Sequence, residues 1–249
     1  MPPYFPWRER LCDAERGSRH VLAANDPSRS SHRSLASRLR ELHKPKQKHS
    51  TMSERAPDER DLPSAVAEAL CTVAEKLRPF GTTWSVGGSL GRWLRGFDAI
   101  PHDIDLDTGA EYAEQITDAL KEYQIEPASA PSPQAFPSLI GAYEISGVPV
   151  ELYVDCEIRF NDLHYVGRFS RYWGRVQLFP FRGRRVPVLP LEESLLVNVV
   201  LGRWEKLAEI TSSATFARHF DVEYFRQRAT EIGLPAPLLE RFVTLASRS

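Results

Sequence analysis

Residues 84–107 read Trp-Ser-Val-Gly-Gly-Ser-Leu-Gly-Arg-Trp-Leu-Arg-Gly-Phe-Asp-Ala-Ile-Pro-His-Asp-Ile-Asp-Leu-Asp. Gly87, Gly88 and Ser89 make a turn with exposed backbone N–H groups and a hydroxyl, which suits a phosphate. A short apolar and basic helix, Ser89–Leu94, follows, and Arg92 and Arg95 lie three apart on similar faces. Asp103, Asp105 and Asp107 then alternate with Ile104 and Leu106. Alternation with period two predicts a strand, so the three carboxylates share one face. Acids so placed repel one another unless a cation sits among them. A phosphate cradle followed by paired aspartates points to a nucleotide and Mg²⁺.

Working outward, Pro63–Leu77 is predicted as a helix, with Asp61 near its N-cap and Val66, Leu70, Val73 and Leu77 in one stripe. Thr82–Val86 is a short strand rich in β formers. Glu111–Tyr123 reads as a helix with Ala113, Ile116 and Leu120 facing in. The proline-rich stretch 126–137 is a loop. Ser138–Ser146 and Val148–Asp155 form a hairpin turning at Gly147. These elements give β-α-β-α-β-β, an α+β arrangement with a small mixed sheet and helices packed on one side. Further strands are expected near 163–168, 175–180 and 185–189. A long helix Leu191–Ile210 carries the stripe Leu195, Val199, Trp204 and Leu207, and helices over 214–231 and 236–247 complete a helical C-terminal region. The expected division is a tail to residue 60, a catalytic domain over 61–190 and the helical region 191–249.

Turn, helix and Asp-x-Asp strand together resemble the nucleotidyltransferase superfamily that includes DNA polymerase β, CCA-adding enzymes and aminoglycoside nucleotidyltransferases. The matching residues are Gly87, Gly88 and Ser89, then Asp103-Ile104-Asp105. The 15 positions from Gly88 to Asp103 leave room for one helix and a turn. The resemblance implies two Mg²⁺ ions that bridge an NTP, an acceptor hydroxyl and three carboxylates. Asp103 and Asp105 supply two of these. In-line attack at phosphorus builds charge on the entering and leaving oxygens, and two divalent ions stabilise both.

The third acid comes from Val148–Asp155, where Glu151 and Asp155 share a strand face with Tyr153 between them. Glu151 is preferred as catalytic residue and metal ligand. Asp155 is the alternative, because Val154-Asp155-Cys156-Glu157 is similar to a segment of some aminoglycoside-modifying members. The resemblance also places Gly87, Gly88 and Ser89 on the phosphates, with Arg92 and Arg95 available to neutralise them. CCA-adding relatives put an Arg three residues after the second Gly. Here Arg92 is four after Gly88, which argues against CCA addition. Val188–Glu192 and the helix after it, with Arg218-His219-Phe220-Asp221 further on, loosely resemble the abortive-infection and toxin/antitoxin branch, so a toxin or antitoxin partner is one expectation. The Lys usual in that branch's first helix is absent; Asn198 and Val199 stand in the region.

The chain has 249 residues, 42% of them hydrophobic, enough for one large or two small cores. Cys12, Cys71 and Cys156 are far apart and show no disulfide or zinc spacing. No apolar run approaches a membrane span and no apolar signal core opens the chain, so a cytoplasmic protein with no membrane partner is expected. Residues 1–51 carry eleven Lys and Arg against five Asp and Glu, within a net charge of −1 for the whole chain. Their composition predicts a disordered basic tail, or a mis-assigned start upstream of Met52.

Two other metal motifs compete and fail. Asp103, Asp105, Asp107 and Glu114 take positions 1, 3, 5 and 12 of a calcium loop, but Thr108 occupies the position that needs Gly. A phosphatase-type Asp-x-Asp-x-Thr is broken by the second following Asp and lacks the apolar strand before it. The expected function is Mg²⁺-dependent transfer of an NMP from an NTP to a hydroxyl acceptor (a small molecule, a tRNA end or a protein side chain), with release of pyrophosphate. The alternatives are a non-catalytic relative that binds nucleotide or a partner protein, and a calcium-binding module.

Overall fold

The structure is a computed structural model and describes residues 62–126, 138–160 and 162–247. The expectations for the N-terminal tail and for nearly all of the proline-rich loop therefore lie outside the described residues. The first helix, α1, runs Ser64–Lys76 and buries Val66, Leu70 and Val73, the stripe its spacing predicts. Pro63 stands at its N-cap, where a missing N–H costs nothing. Strand β1 (Trp84–Val86) leads through Gly87 into α2 (Gly88–Leu94). Then come β2 (Ile104–Thr108), α3 (Ala113–Leu120) and a short β3 (Gln124–Glu126). Strands β4 (Leu139–Ile145) and β5 (Val148–Val154) form the predicted hairpin.

β6 (Glu157–Phe160) and β7 (Leu163–Val166) make a separate two-stranded ribbon. A single turn, α4 (Phe169–Tyr172), leads to β8 (Gln177–Phe181) and β9 (Arg184–Val188). The main sheet has seven strands in the order β3-β4-β5-β2-β1-β9-β8. The β2–β5 and β1–β9 pairs are parallel and the others antiparallel, so the sheet is mixed as predicted. Ile104, Leu106, Val150, Leu152, Val186 and Val188 face one core, which α1, α2 and α3 cover. Residues in alternate positions on β2 and β5 are left to face the other way.

The C-terminal helices are shorter than the sequence reading expected. Leu191–Ile210 is two helices, α5 (Leu191–Val200) and α6 (Trp204–Ser212). Gly202 adopts φ +66° between them, and the Arg203 amide returns to the Asn198 carbonyl at 2.9 Å. This is a glycine C-terminal stop, which a continuous apolar stripe hides. The 214–231 segment is likewise split into α7 (Phe216–His219) and α8 (Val222–Glu231). Asp221 caps α8 by accepting from the amides of Glu223 and Tyr224. Helix α9 (Ala236–Ala246) follows, close to the expected bounds. These helices enclose a second core that also takes in Phe97, Ile158 and Tyr165. Among the described residues no helix is long and apolar enough to cross a membrane.

Candidate active site

β2 lies between β1 and β5, and this position assembles the site. Asp105 is the register partner of Glu151, and Asp107 is the partner of Tyr153. On the other side Asp107 pairs with Ser85. The Gly87 amide donates to the Asp105 carbonyl at 2.9 Å, which ties the glycine turn to the acid strand. Gly88 has φ +57°, and a Cβ there would fall on the Asp105 carboxylate. A side chain at 88 is thus excluded by backbone conformation and by space. At Gly87 a Cβ would stand 3.1 Å from the Asp107 carboxylate.

Asp103 sits in the bend just before β2 and is buried, whereas Asp105 is half-buried. Glu151 is buried and accepts from the Tyr153 hydroxyl at 2.6 Å. Asp155 is placed differently. It follows β5 with φ +46°, its amide donates to the Thr108 carbonyl, and its carboxylate accepts from the Phe169 amide at 2.9 Å. It holds the entry to α4, while Glu151 stands opposite Asp105. Because Ile104–Thr108 is a central strand and not a loop that wraps an ion, the calcium-loop geometry is absent here.

Ser89 is the second residue of α2, and Gly87 occupies the N-cap. Arg92 is buried beside the acids. Burial pulls its guanidinium below the usual range, and the charge of Asp105 opposes this most strongly. Arg95 is buried and committed to carbonyls, donating to those of Gly91 and Leu189. Burial pushes it down to about 10. It braces the end of α2 against the start of α5 and forms one wall of a cavity of about 380 Å³ reaching Arg175, Glu192, His219 and Asp221. His102 is exposed.

Asp107 lies outside the Asp103-Ile104-Asp105 pair that the family resemblance matches. It is buried on the acid face, and burial together with the nearby Glu193 charge pushes its carboxyl up to about 7. Strand alternation placed it on this face, but the Glu193 charge that acts on it belongs to α5, far along the chain. Among the described residues no three of His, Cys, Asp and Glu converge into a ready cage. The donor set still fits Mg²⁺, which is bound through one or two carboxylates and keeps waters and phosphate oxygens for its remaining positions.

A mixed sheet that sets a Gly-Gly turn against strand carboxylates is the frame of a nucleotidyltransferase. A sequence model of the aminoglycoside-2''-adenylyltransferase family matches residues 69–198, more than half of the chain, and the chain belongs to that family. No curated protein sequence matches it. Among solved structures, a Thermotoga maritima protein assigned as a nucleotidyltransferase is 27% identical, with a TM-score of 0.51, over 59% of this chain and 91% of that one. ANT(2'')-Ia in complex with adenylyl-2''-tobramycin is 12% identical, with a TM-score of 0.36, over 74% of this chain and 98% of that one. An antigenic nucleotidyltransferase-like protein from Paracoccidioides brasiliensis is 12% identical, with a TM-score of 0.37, over 74% and 94%.

Proposed function

We propose that this nucleotidyltransferase moves an adenylyl group from ATP to a hydroxyl of a small molecule, in a Mg²⁺-dependent reaction that releases pyrophosphate. The observation that carries this reading is the close approach of the Asp105 carboxylate to Gly88, with Glu151 in register beside it. A triphosphate lying on the Gly87-Gly88-Ser89 turn would have its oxygens next to these acids. Asp103, Asp105 and Glu151 would hold the metal, which supplies Lewis-acid stabilisation of charge at the transferring phosphorus.

The chain's own groups do the rest. The backbone of Gly87 and Gly88 lets phosphate approach without a side chain in the way. Arg92 adds positive charge beside the acids. Asp103, Asp107 and Glu151 are buried, and low-dielectric surroundings strengthen electrostatic contacts made there. Membership of the aminoglycoside-2''-adenylyltransferase family makes aminoglycoside hydroxyls the first acceptors to try.

The test is incubation of the protein with each α-labelled NTP, with and without Mg²⁺, against a panel of aminoglycosides, total tRNA and the protein itself. Label from ATP should appear on a small-molecule acceptor only when Mg²⁺ is present. Labelled tRNA or protein would overturn the acceptor class. Nucleotide binding without transfer to any acceptor would overturn the catalytic reading.

A further inference from the structure

We propose that Tyr153 is a positioning residue that orients Glu151 for a divalent cation. The proposal rests on the reading of Glu151 as a metal ligand. Glu151 and Tyr153 are two apart on β5, so both project from the face that carries Asp105 and Asp107. The strand advances about 3.3 Å per residue, which puts the two Cα atoms roughly 6.6 Å apart. A phenol leaning along the strand spans that gap, and the Tyr153 hydroxyl donates to Glu151 Oε2 at 2.6 Å. That length is typical of a hydroxyl donating to an ionised carboxylate.

Glu151 needs such a partner. It is 3% exposed, so water cannot fix its rotamer or satisfy its oxygens from all sides. The backbone of the donor is pinned as well: Tyr153 pairs with Asp107 on one side and Leu139 on the other. A ligand held by a group on a rigid strand is oriented before the ion arrives, and losing such a support typically weakens metal binding about 10–100-fold.

The experiment titrates Mn²⁺ into the full-length protein with a saturating non-hydrolysable ATP analogue and follows free Mn²⁺ by electron paramagnetic resonance. Tyr153→Phe keeps the ring and should bind Mn²⁺ about ten- to a hundredfold more weakly. Its metal-free affinity for the analogue and its melting temperature should stay near those of the parent. Tyr172→Phe is the control. It removes another buried hydroxyl, one with no hydrogen-bond partner, and should leave Mn²⁺ binding unchanged. If Tyr153→Phe disturbs folding, 4-aminophenylalanine at 153 keeps the ring and a neutral N–H donor, and its Mn²⁺ affinity should stay within about tenfold of the parent's; a loss beyond about a hundredfold in that folded variant would overturn the proposal. Binding of Mn²⁺ to Tyr153→Phe as tight as the parent's, or tighter, overturns the proposal. Failure of the parent itself to bind Mn²⁺ at a carboxylate site overturns the underlying reading instead.

Discussion

Arg228 and Glu193 form an ion pair with both side chains out of water: Nε lies 2.7 Å from Oε1, and the side chains are 4% and 0% exposed. Glu193 also accepts from the hydroxyls of Tyr165 and Tyr224, each at 2.6 Å. The pair joins the start of α5 to α8, and Tyr165 adds β7. Removing the cation would strand a charged carboxylate in the interior. Arg228→Ala should therefore cost about 3–5 kcal/mol in guanidinium unfolding. A loss below about 1 kcal/mol would mean that the two tyrosines suffice to hold Glu193.

Glu192, next in the chain, should make stability pH-dependent. It is 4% exposed, and burial pushes its carboxyl up to about 7 from an ordinary 4.5, even though it accepts from the Asp221 amide. A folded pKa above the unfolded one means that the native state holds the proton longer. Its contribution is complete below about 4.5 and is lost as pH rises through about 7. Glu192→Gln keeps an acceptor for the Asp221 amide and removes the titration. Relative to the parent, the variant should gain about 3 kcal/mol between pH 4 and pH 8 in denaturant melts. Parallel stability curves for the two proteins would sink the assignment.

The acids of β2 are predicted to act on chemistry and not on folding. Asp103→Asn and Asp105→Asn should each lower NMP transfer by roughly a thousandfold, the several kcal/mol that a metal supplies in the transition state. Circular dichroism should show both folded. Full activity in either variant would remove that residue from the site.

Glu151 and Asp155 should separate cleanly. Glu151→Gln should abolish Mg²⁺-dependent transfer. Asp155→Asn should retain turnover within about tenfold, because an amide oxygen can still accept from Phe169. Steady-state assays that show the reverse ranking would move the third carboxylate to Asp155.

Gly88→Ala and Gly202→Ala both place a Cβ at positive φ, at a cost of roughly 1–2 kcal/mol each. Only at Gly88 does the new atom meet the Asp105 carboxylate; around Gly202 the space is open. Thermal melts should thus show some destabilisation in both variants, whereas activity assays should show collapse only in Gly88→Ala. Equal activity in the two variants would show that the approach of Asp105 to Gly88 does not matter to the reaction.

Strongly patterned segments were legible in the sequence. The alternation at Ile104–Thr108 and the hairpin about Gly147 depend on local period and turn chemistry, and both are present. Two strands were missed for physical reasons. Gln124–Glu126 is only three residues long, and Glu157–Phe160 alternates polar and apolar residues over only four positions on a ribbon apart from the main sheet, too short a run for its period to stand out. The breaks at Gly202 and Asp221 carried local signals, a glycine stop and an Asp cap, which the longer apolar stripe overrode. Asp105 and Glu151 could be named as acids on strands, but their register depends on β5 docking parallel to β2 across a long excursion of chain. The Glu193–Arg228 pair, 35 residues apart, had no sequence signal.

The central place of β2 in the seven-strand order bears on how the molecule breathes. Sheets fray from their rims, and a strand with three neighbours on either side is the last to part from them. The amides of Asp105 and Asp107 should then exchange with deuterium only through global opening, while those of β8 and β3 exchange through fluctuations that leave the acids in place. Reaction geometry would stay fixed while the edges move, so adaptation to new acceptors has room to proceed at the rims without loosening the strand that holds the chemistry.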